Sequence, residues 1–327
     1  MIKFDRTTRR IIFMTLALAV ILLAAALRLH LLGAQSLWND EGNAYVQSTR
    51  TFGDIASNAA RDIHPPGYYW LLAVWRVLTG SSEFALRTLS AFAGILTVAF
   101  TYALGRRLYS RLAGLTAAAL VTLNTFNLYY SQEARMYALL GLWSIIAMWA
   151  LVMVIRTGRW QWALTLALTN AVGLYTHYAY PAVMIVQGVL FLIWIGAEVY
   201  QRYYPPIPAL SPADTTTSQP SNLSSLSLLL NYVLANVLTI LLFLPWLPTA
   251  LKQVTTWPST GQSISFAEAL TVIVGWFSLG VTYNLTQTSI AFSFFLLFGL
   301  LVFPEQDGKR SWWRMLVPVL WVGITLG

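Results

Sequence analysis

Residues 11–32 read IIFMTLALAVILLAAALRLHLL, and this stretch decides the fold. Its only charged residue, Arg28, stands near its far end, and the stretch is long enough to cross the hydrocarbon core of a bilayer. It is too long for the apolar core of a signal peptide, and no small-residue cleavage site follows it. We therefore interpret residues 11–32 as a retained transmembrane helix.

The composition of the whole chain fits the same class. Of its 327 residues, 57% are hydrophobic and only 10% are charged, which predicts an all-α polytopic membrane protein. The net charge of +8 comes from basic residues in short clusters between apolar runs, as the positive-inside rule expects, so we predict no nucleic-acid partner. The absence of cysteine excludes disulfides, thiolate metal sites and cysteine nucleophiles.

Further apolar runs of membrane length follow the first one. They occupy residues 88–104, 112–129, 137–155, 160–176, 180–199, 226–246 and 286–303, with a last run from Trp312. Because that last run stops at Gly327, inside a span, we expect the C-terminal part to be truncated.

Two shorter apolar stretches, residues 68–78 and 266–281, are predicted to lie flat at the membrane surface. If either crossed the bilayer, the basic clusters after it would change sides relative to the basic N-terminus. Both are amphipathic enough for the interface. This topology gives a long first external loop, residues 33–87, which carries interfacial helices.

The chain is expected to divide into three parts. Residues 1–204 form a catalytic transmembrane module that includes loop 33–87. Residues 205–225, rich in Pro, Ser and Thr, are predicted to be a flexible cytoplasmic linker. Residues 226–327 hold further transmembrane helices with the interfacial segment 266–281, and this part is incomplete.

The predicted topology collects the polar chemistry on the outer face. The adjacent carboxylates Asp40 and Glu41 follow the first span, and His64 lies in the same loop. The turn at residues 131–137 adds Glu133 and Arg135, and His177 directly follows the run at 160–176. Because ionisable groups beside a membrane span are costly and rarely idle, this clustering indicates an enzyme working at a membrane surface.

Five motifs in order resemble one family. They are WNDE at 38–41, IHPPGYYW at 63–70, SEFALR at 82–87, GRRLY at 105–109 and YSQEARMY at 130–137. The chain resembles the polyprenyl-phosphate-sugar-dependent glycosyltransferases of the GT-C fold, in particular the dolichyl-phosphate-mannose–protein mannosyltransferases and the lipid A aminoarabinose transferases. The likeness covers roughly residues 10–200, and beyond Val199 it is one of hydropathy only.

The resemblance implies a sugar transfer at the outer face of the bacterial cytoplasmic (inner) membrane. The donor is a polyprenyl-phosphate-linked sugar, and the acceptor is a hydroxyl of a protein, lipid or glycan. In an inverting reaction, Asp40 is the expected general base, Glu41 orients the acceptor or the loop, and Arg135 binds the lipid phosphate. His64 and His177 are further donor-phosphate candidates, with Glu133, Tyr137, Trp38 and Tyr68 in support.

Each of these assignments has a structural alternative. Asp40 could cap a helix over residues 42–47, and Arg135 could form a salt bridge with Glu133 or snorkel at the start of its span. His64 stands near the place of a phosphate-binding lysine in the aminoarabinose transferases, so its charge and role are open. His177 could pack in the aromatic belt, or pair with His64 or Glu41 at a metal.

The remaining polar and aromatic residues of the motifs are interpreted as structural. Glu83 and Arg87, one helical turn apart, are expected to pair with each other. The aromatic residues Trp38, Tyr68, Tyr69 and Trp70 could stack on a sugar ring, but interfacial anchoring is the preferred interpretation. No cofactor is firmly implied, and a divalent metal is disfavoured but not excluded because no pair of ligands stands at helical spacing. A lipid-linked glycan transporter or polymerase is the alternative function, although transport requires charges along a path near mid-membrane.

Overall fold

The computed structural model describes residues 5–203, 225–256 and 268, and the regular elements in these ranges are α-helices. In chain order they are α1 (Arg6–Leu29), α2 (Asn39–Ser48), α3 (Phe52–Ala59), α4 (Gly67–Thr79), α5 (Glu83–Leu108), α6 (Arg111–Leu123), α7 (Thr125–Ser131), α8 (Tyr137–Thr157), α9 (Trp160–Thr176), α10 (Tyr180–Tyr203), α11 (Ser225–Phe243) and α12 (Leu247–Thr255). The predicted all-α fold is confirmed for this part of the chain.

Several of these helices match the predicted membrane spans. Among the described residues, α1, α5, α8, α10 and α11 are long and apolar enough to cross a bilayer, and α6 with α7 forms a bent pair that raises the number to as many as 6. Helix α9 has 17 residues and is therefore about 26 Å long, near the lower limit for a span. The predicted runs at 286–303 and from Trp312, the linker at 205–225 and the flat segment at 266–281 lie outside the described residues, apart from Ser225 and Glu268.

Helices α5 and α8 form the centre of the bundle and are the most buried of the apolar helices. Helices α1 and α6 pack on α5, while α9 packs on α8 and in turn contacts α11. Helices α5 and α8 also contact each other. Ser90, near the start of α5, donates a hydrogen bond to the Arg135 carbonyl just before α8 (3.1 Å), so the N-terminal ends of α5 and α8 lie close together, and the candidate site lies at this end.

The apolar run at 112–129 does not form one straight helix. It is bent by 62° between α6 and α7, where Asn124 takes an extended conformation and its side chain accepts a hydrogen bond from the Asn127 N–H. The break leaves carbonyls without helical partners. Buried Arg28 of α1 donates to two of them, at Val121 (3.2 Å) and Thr122 (3.4 Å), and so stabilises the break.

Helix α4 corresponds to the stretch predicted to lie flat. Its 13 residues make it about 20 Å long, shorter than a hydrocarbon core of about 30 Å. It packs against α2, α5 and α9. Its first residue, Gly67, approaches α9 so closely that a Cβ atom there would stand 2.6 Å from the Tyr175 carbonyl oxygen. Glycine is therefore required for α4 to dock at this position.

Candidate active site

Four segments bring the predicted residues together at one end of the bundle. Asp40 and Glu41 lie in the first turn of α2, and Arg135 lies in the turn between α7 and α8. His64 precedes α4, and His177 directly follows α9. The helix ends, rather than the helix interiors, hold these side chains.

Glu41 is the fully buried centre of this arrangement. Its carboxylate accepts hydrogen bonds from Arg87 Nε (2.8 Å) and Nη2 (2.7 Å), from the Ala134 N–H (2.7 Å) and from the Trp38 N–H (3.3 Å). Burial raises the pKa of Glu41, but Arg87 and the backbone donors outweigh it and hold that pKa below its usual value. Glu41 therefore ties α2 to α5 and to the turn that carries Arg135.

The predicted pairing of Arg87 with Glu83 is wrong. Arg87 forms its ion pair with Glu41 and also donates to the carbonyls of Leu32 (2.9 Å), Gln35 (2.8 Å) and Ser36 (3.1 Å). A buried carboxylate needs a cation more than an exposed one does, because its uncompensated charge is costly in a low dielectric. Arg87 thus fixes the chain that leads from α1 to α2.

Asp40 has a different environment from its neighbour. Its side chain is 38% exposed and lies with Oδ2 at 3.4 Å from Nη2 of Arg135, whose side chain is only 6% exposed. The alternative in which Asp40 caps a helix over residues 42–47 is not observed: α2 begins at Asn39, and Glu41 accepts the hydrogen bond from the Trp38 N–H. Asp40 therefore keeps a carboxylate that is both accessible and next to a cation.

Arg135 lies within hydrogen-bonding reach of several groups, including the side chains of Tyr69 and Tyr137. Besides Asp40 Oδ2, it contacts the Asp40 carbonyl through Nη1 (3.4 Å) and His64 Nε2 through Nη2 (3.4 Å). These distances are long for charge-assisted hydrogen bonds, and Nε has no partner among the described residues. The alternative pairing of Arg135 with Glu133 is not observed, since the ion pair of Arg135 is with Asp40. Burial raises the pKa of Glu133, although a hydrogen bond from Tyr129 opposes this.

The two histidines lie side by side. The ring centroids of His64 and His177 are 6.0 Å apart, and the Tyr137 ring stands 5.8 Å from that of His177 and 5.8 Å from Arg135 Cζ. Burial, and then the Arg135 charge, lowers the pKa of His64, while burial and the nearby His64 and Arg135 charges lower that of His177 to about 4. Both imidazoles are therefore neutral at pH 7. The described ranges contain no group of three His, Cys, Asp or Glu residues suited to a metal ion.

The aromatic residues divide into two groups. Trp38 is 46% exposed and remains available as an anchor or a stacking surface. Tyr68 and Tyr69 are buried, so interfacial anchoring is wrong for both of them: they belong to the face of α4 that packs into the bundle. Burial raises the pKa of Tyr69 to about 12, and the Tyr68 hydroxyl has no hydrogen-bond partner among the described residues.

Two glutamines that the sequence did not single out hold the edges of the site. The Gln132 side chain donates to the carbonyls of Leu27 (3.1 Å) and His30 (3.1 Å) at the end of α1. Gln253 of α12 donates to the carbonyls of Ala59 (2.6 Å) and Asp62, just before His64. Nothing in the local sequence distinguishes these amides from surface glutamines, whereas Arg87, a charge at the start of a span, carried a usable signal.

Comparison with known proteins gives results consistent with the motifs. The family model of the dolichyl-phosphate-mannose-protein mannosyltransferases matches residues 63–209, somewhat less than half of the chain. No curated protein sequence matches significantly. An archaeal oligosaccharyltransferase, AglB from Archaeoglobus fulgidus in complex with an inhibitory peptide and a dolichol-phosphate, aligns with a TM-score of 0.52 at 15% identity, over 95% of this chain and 36% of its own.

Two further structures of an Archaeoglobus fulgidus oligosaccharyltransferase align less closely. The apo form has a TM-score of 0.43 at 13% identity and covers 90% of this chain and 40% of its own. The complex with Zn and sulfate has a TM-score of 0.46 at 12% identity, over 95% and 48%. The chain thus spans about a third to a half of the length of these structures. It is a multi-pass membrane protein with a GT-C-like helical fold, similar over residues 63–209 to the dolichyl-phosphate-mannose-protein mannosyltransferases.

Proposed function

We propose that the protein transfers a sugar, hexosyl or pentosyl, from a polyprenyl-phosphate donor to an acceptor hydroxyl. The observation that carries the proposal is the pairing of an accessible carboxylate, Asp40, with a buried arginine, Arg135, at 3.4 Å. The similarity to a mannosyltransferase family supports the same class of reaction. An AglB described with dolichol-phosphate and a peptide supports a lipid-linked donor in general terms.

The two side chains have complementary roles in a single displacement. The acceptor oxygen attacks the anomeric carbon, its proton passes to the Asp40 carboxylate, and the bond from that carbon to the phosphate oxygen breaks. The electron pair leaves with the polyprenyl phosphate, whose growing negative charge Arg135 stabilises. One displacement inverts the anomeric configuration. A carboxylate also stabilises an oxocarbenium-like centre, which favours Asp40 as the base.

The reaction requires Arg135 to exchange partners. A base and a phosphate clamp act on opposite sides of the anomeric carbon, so they cannot remain in contact during transfer. The contacts of Arg135 with Asp40 and His64 are each 3.4 Å long, and a phosphate offers a guanidinium shorter, bidentate bonds. Donor binding is therefore expected to draw Arg135 from Asp40 and to release the carboxylate for the acceptor. His64 and His177, next to Arg135, are placed to contact the donor as neutral hydrogen-bonding groups.

The membrane location follows from the donor. A long isoprenoid chain gains about 0.8 kcal/mol for each buried CH₂ group and does not leave the bilayer, so the enzyme works within it. We place the reaction on the outer face of the bacterial cytoplasmic membrane, with a protein, lipid or glycan acceptor.

The test replaces Asp40 with Asn, which keeps the size of the side chain and removes its basicity. With a purified polyprenyl-phosphate sugar as donor, Asp40→Asn is expected to lose about a hundredfold to ten-thousandfold in turnover and to keep donor affinity. Asp54→Asn, an exposed first-turn carboxylate of α3, is the matched control and should transfer normally. Near wild-type turnover by Asp40→Asn would refute the proposal.

A further inference from the structure

A groove with a volume of about 380 Å³ opens between the C-terminal end of α2 and the C-terminal half of α4. It is separate from the site above, because Ser48 at its edge lies eight residues after Asp40, or about 12 Å along α2. Its volume lies in the range of ligand sites in proteins. Its lining includes Arg50, Phe52, Val74, Arg76, Val77 and Leu78.

Two arginines give the groove its charge. Arg76 donates through Nε to the Ser48 carbonyl (3.3 Å), and Arg50 donates through Nη1 to the Gln47 side chain (3.2 Å). Neither arginine has a carboxylate partner among the described residues. The neighbouring acid, Asp54, accepts a hydrogen bond from Thr51 instead. The guanidinium groups therefore present an excess of positive charge to an occupant.

The rest of the lining is apolar and exposed. Phe52 is 57% exposed, Val77 75% and Leu78 73%. Helix α4 is too short to span a bilayer and has the composition of a helix that lies in the interface. Apolar side chains next to arginines match the boundary between the acyl chains and the phosphates of a bilayer. A free phosphate ion would leave the apolar lining uncovered, so the groove fits an amphiphile with an anionic head.

We propose that this groove binds an anionic phospholipid of the surrounding bilayer. Its phosphate lies against Arg50 and Arg76, and an acyl chain follows Val74, Val77 and Leu78. Because α2 carries Ser48 at one end and Asp40 at the other, the bound lipid holds α2 at the membrane surface. This binding does not depend on the proposed sugar transfer.

The test uses the full chain in nanodiscs of phosphatidylcholine that contain a photoactivatable phosphatidylglycerol. The expected adducts fall on α4 and on residues 50–52. Arg50→Gln with Arg76→Gln should lower the labelling by roughly a factor of five for each arginine. Arg61→Gln is the matched control, since Arg61 is exposed at the other end of α3 and bonds only to the Ser57 carbonyl in the described ranges.

Three results would overturn the proposal. The first is equal labelling by a phosphatidylcholine probe, and the second is unchanged labelling of the double variant. The third is a crosslink from a photoreactive residue at position 77 to residues 257–327, which makes the groove a contact within the chain. If the double variant does not fold, the single variant Arg50→Gln, at an exposed residue, should still lower the labelling by roughly a factor of five. Labelling needs no turnover, so this test stands apart from the test of transfer.

Discussion

At the scale of single residues, the adjacent carboxylates Asp40 and Glu41 differ because their surroundings differ. Glu41 is inaccessible and accepts short hydrogen bonds from Arg87 and the Ala134 N–H, whereas Asp40 is partly exposed and lies 3.4 Å from Arg135. A group with all its hydrogen bonds satisfied has little capacity left for a substrate. We therefore expect a structural role for Glu41, and the accessible carboxylate is that of Asp40.

The Glu41–Arg87 pair is expected to dominate the stability of the site. Arg87→Ala leaves a buried carboxylate without its cation, and such a loss typically costs about 3–5 kcal/mol in the free energy of unfolding. Glu83→Gln, which alters the acid one turn before Arg87, should change it by no more than roughly 0.5 kcal/mol. Denaturant unfolding in detergent measures both. Equal losses in the free energy of unfolding for the two variants would show that Arg87 pairs with Glu83.

The lowered pKa of His177 predicts a pH dependence of stability. Its pKa is about 4 in the folded chain against an ordinary 6.5. Between these values the unfolded chain binds a proton that the folded chain does not, so stability falls as the pH drops from 6.5 towards 4 and this contribution is constant below that. His177→Gln should reduce the decline in thermal midpoint over this range. His30→Gln, at the exposed end of α1, should leave it unchanged, and identical declines in both variants would contradict the assignment.

At the scale of elements, the site depends on close approaches between helices. The end of α4 that follows His64 meets the end of α9 that precedes His177, and Gly67 permits this contact. At the opposite edge, Arg28 of α1 bonds to the carbonyls at the break between α6 and α7. The positions of the two histidines and of the turn with Arg135 thus follow from helix packing.

A methyl group at position 67 should separate α4 from α9. Gly67→Ala places a Cβ atom 2.6 Å from a backbone oxygen that cannot move aside, and overpacking of this kind typically costs about 1–3 kcal/mol. Gly141→Ala in α8 meets nothing within 4 Å and serves as the control. Thermal midpoints and the labelling of a cysteine placed at His64 measure the effect. The contact would be dispensable if Gly67→Ala matched Gly141→Ala both in thermal midpoint and in the protection of the cysteine at position 64 from labelling.

At the scale of the whole molecule, the polar residues of the site lie at one end of the bundle. Arg87 near the start of α5 and Ala134 just before α8 both donate to Glu41, and His177 follows the last residue of α9. The turn between α8 and α9, with Arg159, lies at the other end of α8, about 32 Å away. The bundle thus holds the candidate site and the α8–α9 turn at opposite ends.

The orientation can be tested with single cysteines, because the chain has none of its own. We expect Ser81→Cys, exposed before α5, to react with an impermeant thiol reagent from outside intact cells. Arg159→Cys, exposed between α8 and α9, should react only after the membrane is opened. The reverse pattern would place the site in the cytoplasm and exclude the proposed outer-face reaction.

The sequence by itself determined the class of the protein and most of its helices. Apolar runs of membrane length must form helices, because backbone groups in lipid have no other hydrogen-bond partners. It also determined which residues gather: the carboxylates at 40 and 41, His64, Arg135 and His177 are all found at one end of the bundle. Motif order and charge placement were sufficient for both.

Only the tertiary structure decided the pairing of charges and the shape of the third span. Arg87 pairs with Glu41 and not with nearby Glu83, and Arg135 pairs with Asp40 and not with Glu133. Burial and contact between distant segments determine how much free energy an unpaired charge costs. The break after α6 depends on Arg28, which is distant in sequence and supplies the missing hydrogen bonds. Such contacts join segments that are far apart along the chain, so local sequence patterns do not predict them.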